Sequence, residues 1–174
     1  MGRLVLVLRT LTESDADAFL RAHRTTTPAF PSFARGFSAE LSFSDYLARL
    51  ADYEQGHNLP EGHVSSTTYY GFIGGAVVGR LMLRHRLNDV LHKSGGHIGY
   101  VVVPEFRRRG IATHMLRLAL PRALERDIGK LLITCDEDNT ASKRVIEKCG
   151  GVLEGTSIHP ENGVSQCRYW ISLR

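Results

Sequence analysis

The stretch that decides the fold is His97-Ile-Gly-Tyr-Val-Val-Val-Pro-Glu-Phe-Arg-Arg-Arg-Gly-Ile-Ala-Thr113. Ile98 to Val103 is a short apolar, β-branched run closed by Pro104, which cannot donate to a strand ladder. From Gly110 the apolar residues change spacing, and Ile111, Met115, Leu118 and Ala119 follow a helical period. The stretch therefore reads as a strand, a corner and the start of a helix. A helix whose first turn is Arg108 to Ala112 points unpaired N–H groups and the positive end of its dipole outward, which suits a phosphate. Gly110 and Ala112 allow a ligand close to the backbone, and Arg107, Arg108 and Arg109 add cationic charge beside it.

Working downstream, the helix is broken at Gly129 and carries Pro121, which removes one backbone donor. Leu131 to Cys135 is a fully apolar strand, and the order strand, helix, strand implies a right-handed crossover with the His97 and Leu131 strands parallel. Asn139 caps a further helix that runs to Cys149 and stops at Gly150-Gly151. Val152–Ile158 and Ser165–Leu173 are strands joined by the turn sequence Pro160 to Gly163.

Upstream, Thr67–Ile73 and Ala76–Arg84 form a hairpin turned at Gly74-Gly75, and Asn88 to Gly96 connects it to the His97 strand. Arg3 to Arg9 is a first strand. Thr12 and Asp15 open a helix with Ala16, Phe19, Leu20 and His23 on one face, ending before Pro28. Thr25 to Ser38 is a loop with aromatic contacts at Phe30, Phe33 and Phe37. Ser44 or Asp45 caps a second helix carrying Tyr46, Leu47, Leu50 and Tyr53. The whole chain, residues 1–174, is expected to be one α/β domain, a mixed sheet of about seven strands flanked by about four helices.

At 174 residues and 43% hydrophobic, the chain can bury one substantial core but not two. A net charge of +4 is concentrated around Arg107 to Arg109, which fits one anionic ligand better than a nucleic-acid track. Leu4 to Leu8 is too short for a membrane span or signal-peptide core. Three cysteines, Cys135, Cys149 and Cys167, have no metal-site spacing and imply a reduced, cytoplasmic chain. No histidine lies in a metal motif, so no metal, nucleic-acid or membrane partner is expected.

Two motifs then stand in order: Arg107-x-x-Gly110-x-Ala112, and Asn139-Thr-Ala-Ser142 through Glu147-Lys-Cys-Gly150. Together with the order of elements they resemble the GNAT acyltransferases. Gly95-Gly-His-Ile-Gly-Tyr100 further resembles a subgroup of acetyltransferases of unassigned substrate. The resemblance implies acetyl-CoA as co-substrate and a direct acetyl transfer to an amine acceptor of unknown identity. It implies that the two parallel strands splay, with the pantetheine arm of CoA paired to the backbone of Val101, Val102 and Val103. The pyrophosphate would rest on Arg108, Arg109, Gly110, Ile111, Ala112 and Thr113, with Asn139 and Ser142 beside the thiol arm. Asn139 serves equally as a plain helix cap.

Many members of that family carry a glutamate base where this chain has His97, a chemically sensible replacement because imidazole titrates near neutrality. The catalytic candidates are His97 and Tyr100. Three residues apart in a regular strand they face opposite sides, so they are not a pair. The family's proton-donating tyrosine is replaced by Ile146, which leaves the acid unassigned and keeps open a non-catalytic acyl-CoA-binding domain. The acceptor is expected from the side of the first two helices, the Phe30–Phe37 loop and the last hairpin, where His63, His85 and Arg86 stand. Acyl-chain preference and assembly, a homodimer among the options, are not written in the sequence.

Overall fold

The computed structural model describes residues 5–173. β1 (Val7–Arg9), β2 (Ser66–Ile73), β3 (Ala76–Arg84) and β4 (Ile98–Val102) form one antiparallel sheet in that order. Arg3 and Leu4, expected in the first strand, lie outside the described residues. β2 and β3 turn at Gly74 and Gly75, both at positive φ (56° and 80°), the backbone that a two-residue hairpin with matching twist demands. β5 (Lys130–Asp136), β6 (Val152–Ile158) and β7 (Ser165–Ser172) form a second antiparallel sheet in the order β5-β7-β6.

Five helices accompany the sheets: α1 (Ala16–Thr26), α2 (Phe43–Gln55), α3 (Asp89–Lys93), α4 (Ile111–Leu124) and α5 (Thr140–Lys148). The short α3 falls where the sequence reads as a connection. It is a single turn opened by Asn88, whose side chain accepts from Leu91 N–H, and five residues show too little periodicity to announce themselves. α2 starts earlier than expected because Ser42 is its cap: Asp45 N–H donates to Ser42 Oγ (3.0 Å), and Ser42 Oγ donates back to the Asp45 carboxylate (2.6 Å). Thr12 and Asp15 form the expected capping box before α1, and Arg9 clamps the Asp15 carboxylate at 2.7 Å.

The first sheet is buried on both faces. Leu81, Leu83 and Ile98 face Ile111, Met115, Leu116 and the second sheet. Tyr70, Phe72 and Val77 face Phe19 of α1, Tyr46 of α2 and Phe33 of the loop between them. Phe19 is ringed by Phe37, Phe43, Tyr46 and Tyr70 at centroid distances of 5.1–5.8 Å. This explains why the unperiodic Phe33–Phe37 segment is ordered: aromatic burial, not a repeating pattern, holds it.

Where a parallel pair was expected, no ladder joins β4 to β5 among the described residues. The chain just before β4 meets β5 at one end. His97 N–H donates to Leu132 O (2.7 Å), and Leu132 N–H donates to Nδ1 of the His97 ring (2.9 Å). Gly95 N–H adds a bond to Thr134 Oγ1 (2.9 Å). Beyond these bonds the strands diverge and leave a gap. The approach requires Gly96: its φ is +56°, and a Cβ there would sit 2.3 Å from Leu132 O.

Gly96→Ala should therefore cost about 2–4 kcal/mol, from left-handed strain plus a clash that only backbone movement relieves. Gly62→Ala, at φ +75° but with nothing within 4 Å, should cost about 1 kcal/mol. Urea unfolding of both variants checks the contrast. Equal losses would mean that close contact with β5 is not what constrains residue 96.

Candidate active site

Alternation along β4 decides which backbone groups face the gap. Arg84 N–H donates to His97 O (2.8 Å) and Val103 N–H to Val78 O (3.0 Å), so the odd-numbered groups of β4 face β3. The N–H and C=O groups of Ile98, Tyr100 and Val102 are left facing the gap. Of the three valines named from the sequence, Val102 alone presents its backbone there; Val101 pairs with β3, and Val103 gives its N–H to β3 while its C=O accepts from Phe106 N–H (2.9 Å). Arg107 Nε donates to Val102 O (3.2 Å), and its guanidinium lies 4.9 Å over the Phe30 ring. Arg107 is thus tied back against the protein although it is exposed, as Arg108 and Arg109 are.

At the mouth of the gap, Arg108 (φ 60°) and Gly110 (φ 74°) both take left-handed backbone before α4 begins at Ile111. His114 N–H is the first to bond back, to Gly110 O (3.0 Å). The N–H groups of Ile111, Ala112 and Thr113 accordingly have no acceptor inside the helix. A Cβ on Gly110 would meet nothing within 4 Å, so the space above this turn is open. Unpaired donors and the dipole of a 14-residue helix open onto that space, with the exposed Arg108 and Arg109 in the turn before it, Arg109 lying 5.7 Å over the Phe106 ring.

α5 lines the far wall. Asn139 is its cap, its Oδ1 accepting from Ser142 N–H (3.0 Å). Tyr100 reaches across from β4, with its hydroxyl 2.7 Å from Ser142 Oγ. Burial pushes the Tyr100 phenol up to about 12, against the opposing pull of the Ser142 bond. Ile146 is fully buried and packs on Gly151, where a Cβ would lie 2.4 Å from its Cγ2. Position 146 belongs to the core, so its missing hydroxyl says nothing about chemistry in the gap. Cys149 is buried beside Thr113 O (3.6 Å), and burial raises its thiol.

His97 is only 8% exposed. Burial first, and then His92 and Arg84, depress its imidazole to about 4. With Nδ1 receiving the Leu132 N–H, the neutral ring carries its proton on Nε2 and has no lone pair left for a base to use. The ring faces away from Tyr100, and the structure does not bring the two together.

A family model described as an acetyltransferase (GNAT) domain matches residues 5–152. The chain belongs to the GNAT acetyltransferase family. No curated protein matches its sequence. Among solved structures it is similar to yncA from Salmonella typhimurium, solved with acetyl-CoA: 12% identity, 97% of this chain and 94% of that one, TM-score 0.64. It is also similar to RimL, a ribosomal L7/L12 α-N-protein acetyltransferase in complex with coenzyme A: 22% identity, 96% and 93% coverage, TM-score 0.66. A Salmonella typhimurium enzyme that modifies the N-terminal serine of L7/L12 matches at 22% identity, 96% and 94% coverage, TM-score 0.67.

Behind the gap of this GNAT fold, on the α2 face of the first sheet, lies a cavity of about 420 Å³. Its lining includes Phe33, Tyr46 and Tyr53, the 59–64 loop, the α3 turn and the tip of the last hairpin at His159–Glu161. That matches the side from which the sequence reading brings the acceptor. His63 lines it, held below its usual range by burial, then Arg35 and Arg84. His85 instead bonds Thr67 (2.9 Å), and neither it nor Arg86 lines the cavity. The sequence reading missed the charges in the lining: Arg35, Arg80 and Arg84. An arginine in a strand announces itself as solvent-facing, and only the sheet's second cover buries it.

Among the described residues, no helix is long and apolar enough to cross a membrane, and no cluster of three or more His, Cys, Asp or Glu could hold a metal ion. Gly110→Asp should weaken CoA about 100-fold by setting a carboxylate against the pyrophosphate, with the fold kept because Asp tolerates left-handed backbone. Calorimetric titration with CoA beside a thermal melt checks this. Unchanged affinity in the folded variant would remove the α4 N-terminus from the CoA site.

Proposed function

We propose that this GNAT protein transfers the acetyl group of acetyl-CoA directly to an amine that enters through the cavity. One observation carries the reading: the backbone edge of β4, which has no strand partner beyond His97, leads toward the open N-terminus of α4. Such an edge can pair with the amides of a pantetheine arm, and such a helix start can hold a pyrophosphate. The acetyl-CoA and CoA bound by the similar structures support it. At 22% identity or less those structures speak for the fold, so the acceptor must come from this chain's own cavity. All three cysteines are free and buried, which supports a cytoplasmic protein.

In this reading Val102 and Tyr100 supply the backbone pairing, and Arg108 to Thr113 hold the pyrophosphate. An N–H of β4 facing the gap stabilises the tetrahedral oxyanion. Asn139 and Ser142 frame the thiol arm. The neutral amine attacks the thioester carbon, the C–N bond forms, the C–S bond breaks to release the CoA thiolate, and solvent water takes up the amine's proton. Tyr100 stands by the departing sulfur. A phenol at about 12 is a weaker acid than a thiol at roughly 8.5, so Tyr100 keeps its proton and stabilises the thiolate by hydrogen bonding rather than by full transfer. His97 is a positioning residue that holds β4 against β5 while the gap opens beyond it.

Turnover of acetyl-CoA on a panel of amines tests the reading, with two variants assigning the roles. Tyr100→Phe should lower kcat about 100-fold with the acetyl-CoA KM little changed. His97→Gln should lower stability while the pH–rate profile keeps its midpoint, because an imidazole at about 4 does not titrate between pH 6 and 9. Loss of the acidic limb in that variant would restore His97 as the base.

A further inference from the structure

The floor of the acceptor cavity carries more positive charge than the fold needs. Arg80, on β3, is 5% exposed and lines the cavity. Its guanidinium donates to two neutral carbonyls, Phe33 O from Nε (3.2 Å) and Ser32 O from Nη2 (2.7 Å), and Nη1 has no partner among the described residues. Arg84, four residues on and on the same face, donates from Nη1 to Gly95 O and Gly96 O (both 3.0 Å) and leaves Nε and Nη2 unpartnered there. Arg35 at the rim makes no side-chain hydrogen bond among those residues. The ion pairs found among them are Arg9–Asp15, Arg122–Glu125, Arg126–Glu54 and Arg168–Glu154, so none of these three cations has a carboxylate. The cavity's acids, Glu61 and Glu161, are exposed and do not approach them.

Burying a guanidinium without a counter-ion is expensive, and a well-packed apolar side chain would usually serve stability better. Burial lowers Arg80 and the partly buried Arg84, the latter to about 10, and Arg35 lowers each further, yet both stay charged at neutral pH. An anion on the floor would relieve burial and mutual repulsion together, and the free N–H groups are placed to receive it. The reach is short, because Arg80 lies directly opposite Val101 in the β3–β4 register, one strand from the edge that faces the gap. A cavity of about 420 Å³ is of small-molecule size.

We infer that the acceptor is a small amine that carries its own carboxylate or phosphate within a few bonds of the nitrogen, the anionic group being held by Arg80 and Arg84 with Arg35 at the rim. This rests on the acetyl-transfer reading for the amine, but the anion site can be measured without it. Two matched pairs serve as probes: butylamine against 4-aminobutyrate, and ethanolamine against O-phosphoethanolamine. Calorimetry without acetyl-CoA should show the member that carries the anionic group binding at least tenfold tighter than its partner without one. The pair with the larger contrast tells carboxylate from phosphate. Turnover with acetyl-CoA should follow the same order in kcat/KM.

Arg80→Gln should reduce the preference roughly 10- to 100-fold. Arg35→Gln, at an exposed position where folding is not at risk, should reduce it about threefold. Both should bind CoA as before. Anion preference in binding with no turnover would keep the site and retract the transferase. Turnover with no preference, or a preference untouched by both substitutions, would overturn the site and leave the transferase standing. Acetylation confined to peptides with acidic N-termini would overturn the small-molecule class.

Discussion

Everything functional here depends on one short contact: His97 bonded through its backbone N–H and its ring to the two sides of Leu132. A continued ladder between β4 and β5 would satisfy every backbone group and close the sheet. A single clamp at one end leaves the rest of the β4 edge without a strand partner; Arg107 Nε takes Val102 O, and the other groups are tolerable only where water or a ligand reaches them. Gly96 makes the clamp possible because only a residue without Cβ can lie that close to Leu132 O. Arg84 reinforces it by holding Gly95 O and Gly96 O, so the clamp and the cavity on the α2 face share a side chain.

The two sides of the gap do different chemistry with the same electrostatic sign. On the α4 side the donors are backbone N–H groups at a helix start, exposed and aimed at open space. On the cavity side they are guanidiniums buried by the second cover of the sheet. Burial makes the second set the more selective, since an unpaired charge in a low-dielectric cavity discriminates strongly between a partner that neutralises it and one that does not. The first set suits a ligand long enough to run along the surface; the second suits one small enough to enter.

Tyr100 and Ile146 show how a motif can mislead at one residue while holding as a whole. The Asn139–Gly150 pattern marks α5 correctly, and a reader who compares it with the family meets isoleucine where a tyrosine is usual. In three dimensions that position is sealed against Gly151, and the hydroxyl that spans the gap comes from β4 instead. For His97 the sequence offered a side chain of suitable chemistry without its hydrogen bonds. Those bonds turn the ring from a titrating group into a strut.

The sequence by itself determined the elements and their order. The Gly74-Gly75 hairpin, the strand-to-helix switch at Pro104–Gly110 and the Asn139 cap are local events, written in periodicity and backbone preference. It also located the exposed donors at the start of α4, because a helix start leaves its first N–H groups unbonded whatever it packs against. Only the tertiary structure decided that β4 and β5 part, that Val102 rather than Val101 or Val103 faces the gap, and that Arg80 is buried and Arg84 partly so. Each of those outcomes depends on residues far apart in the chain, Gly96 with Leu132 and Arg80 with Phe33. Strand direction and burial come from such non-local packing, and no local pattern encodes which partner will cover a given face.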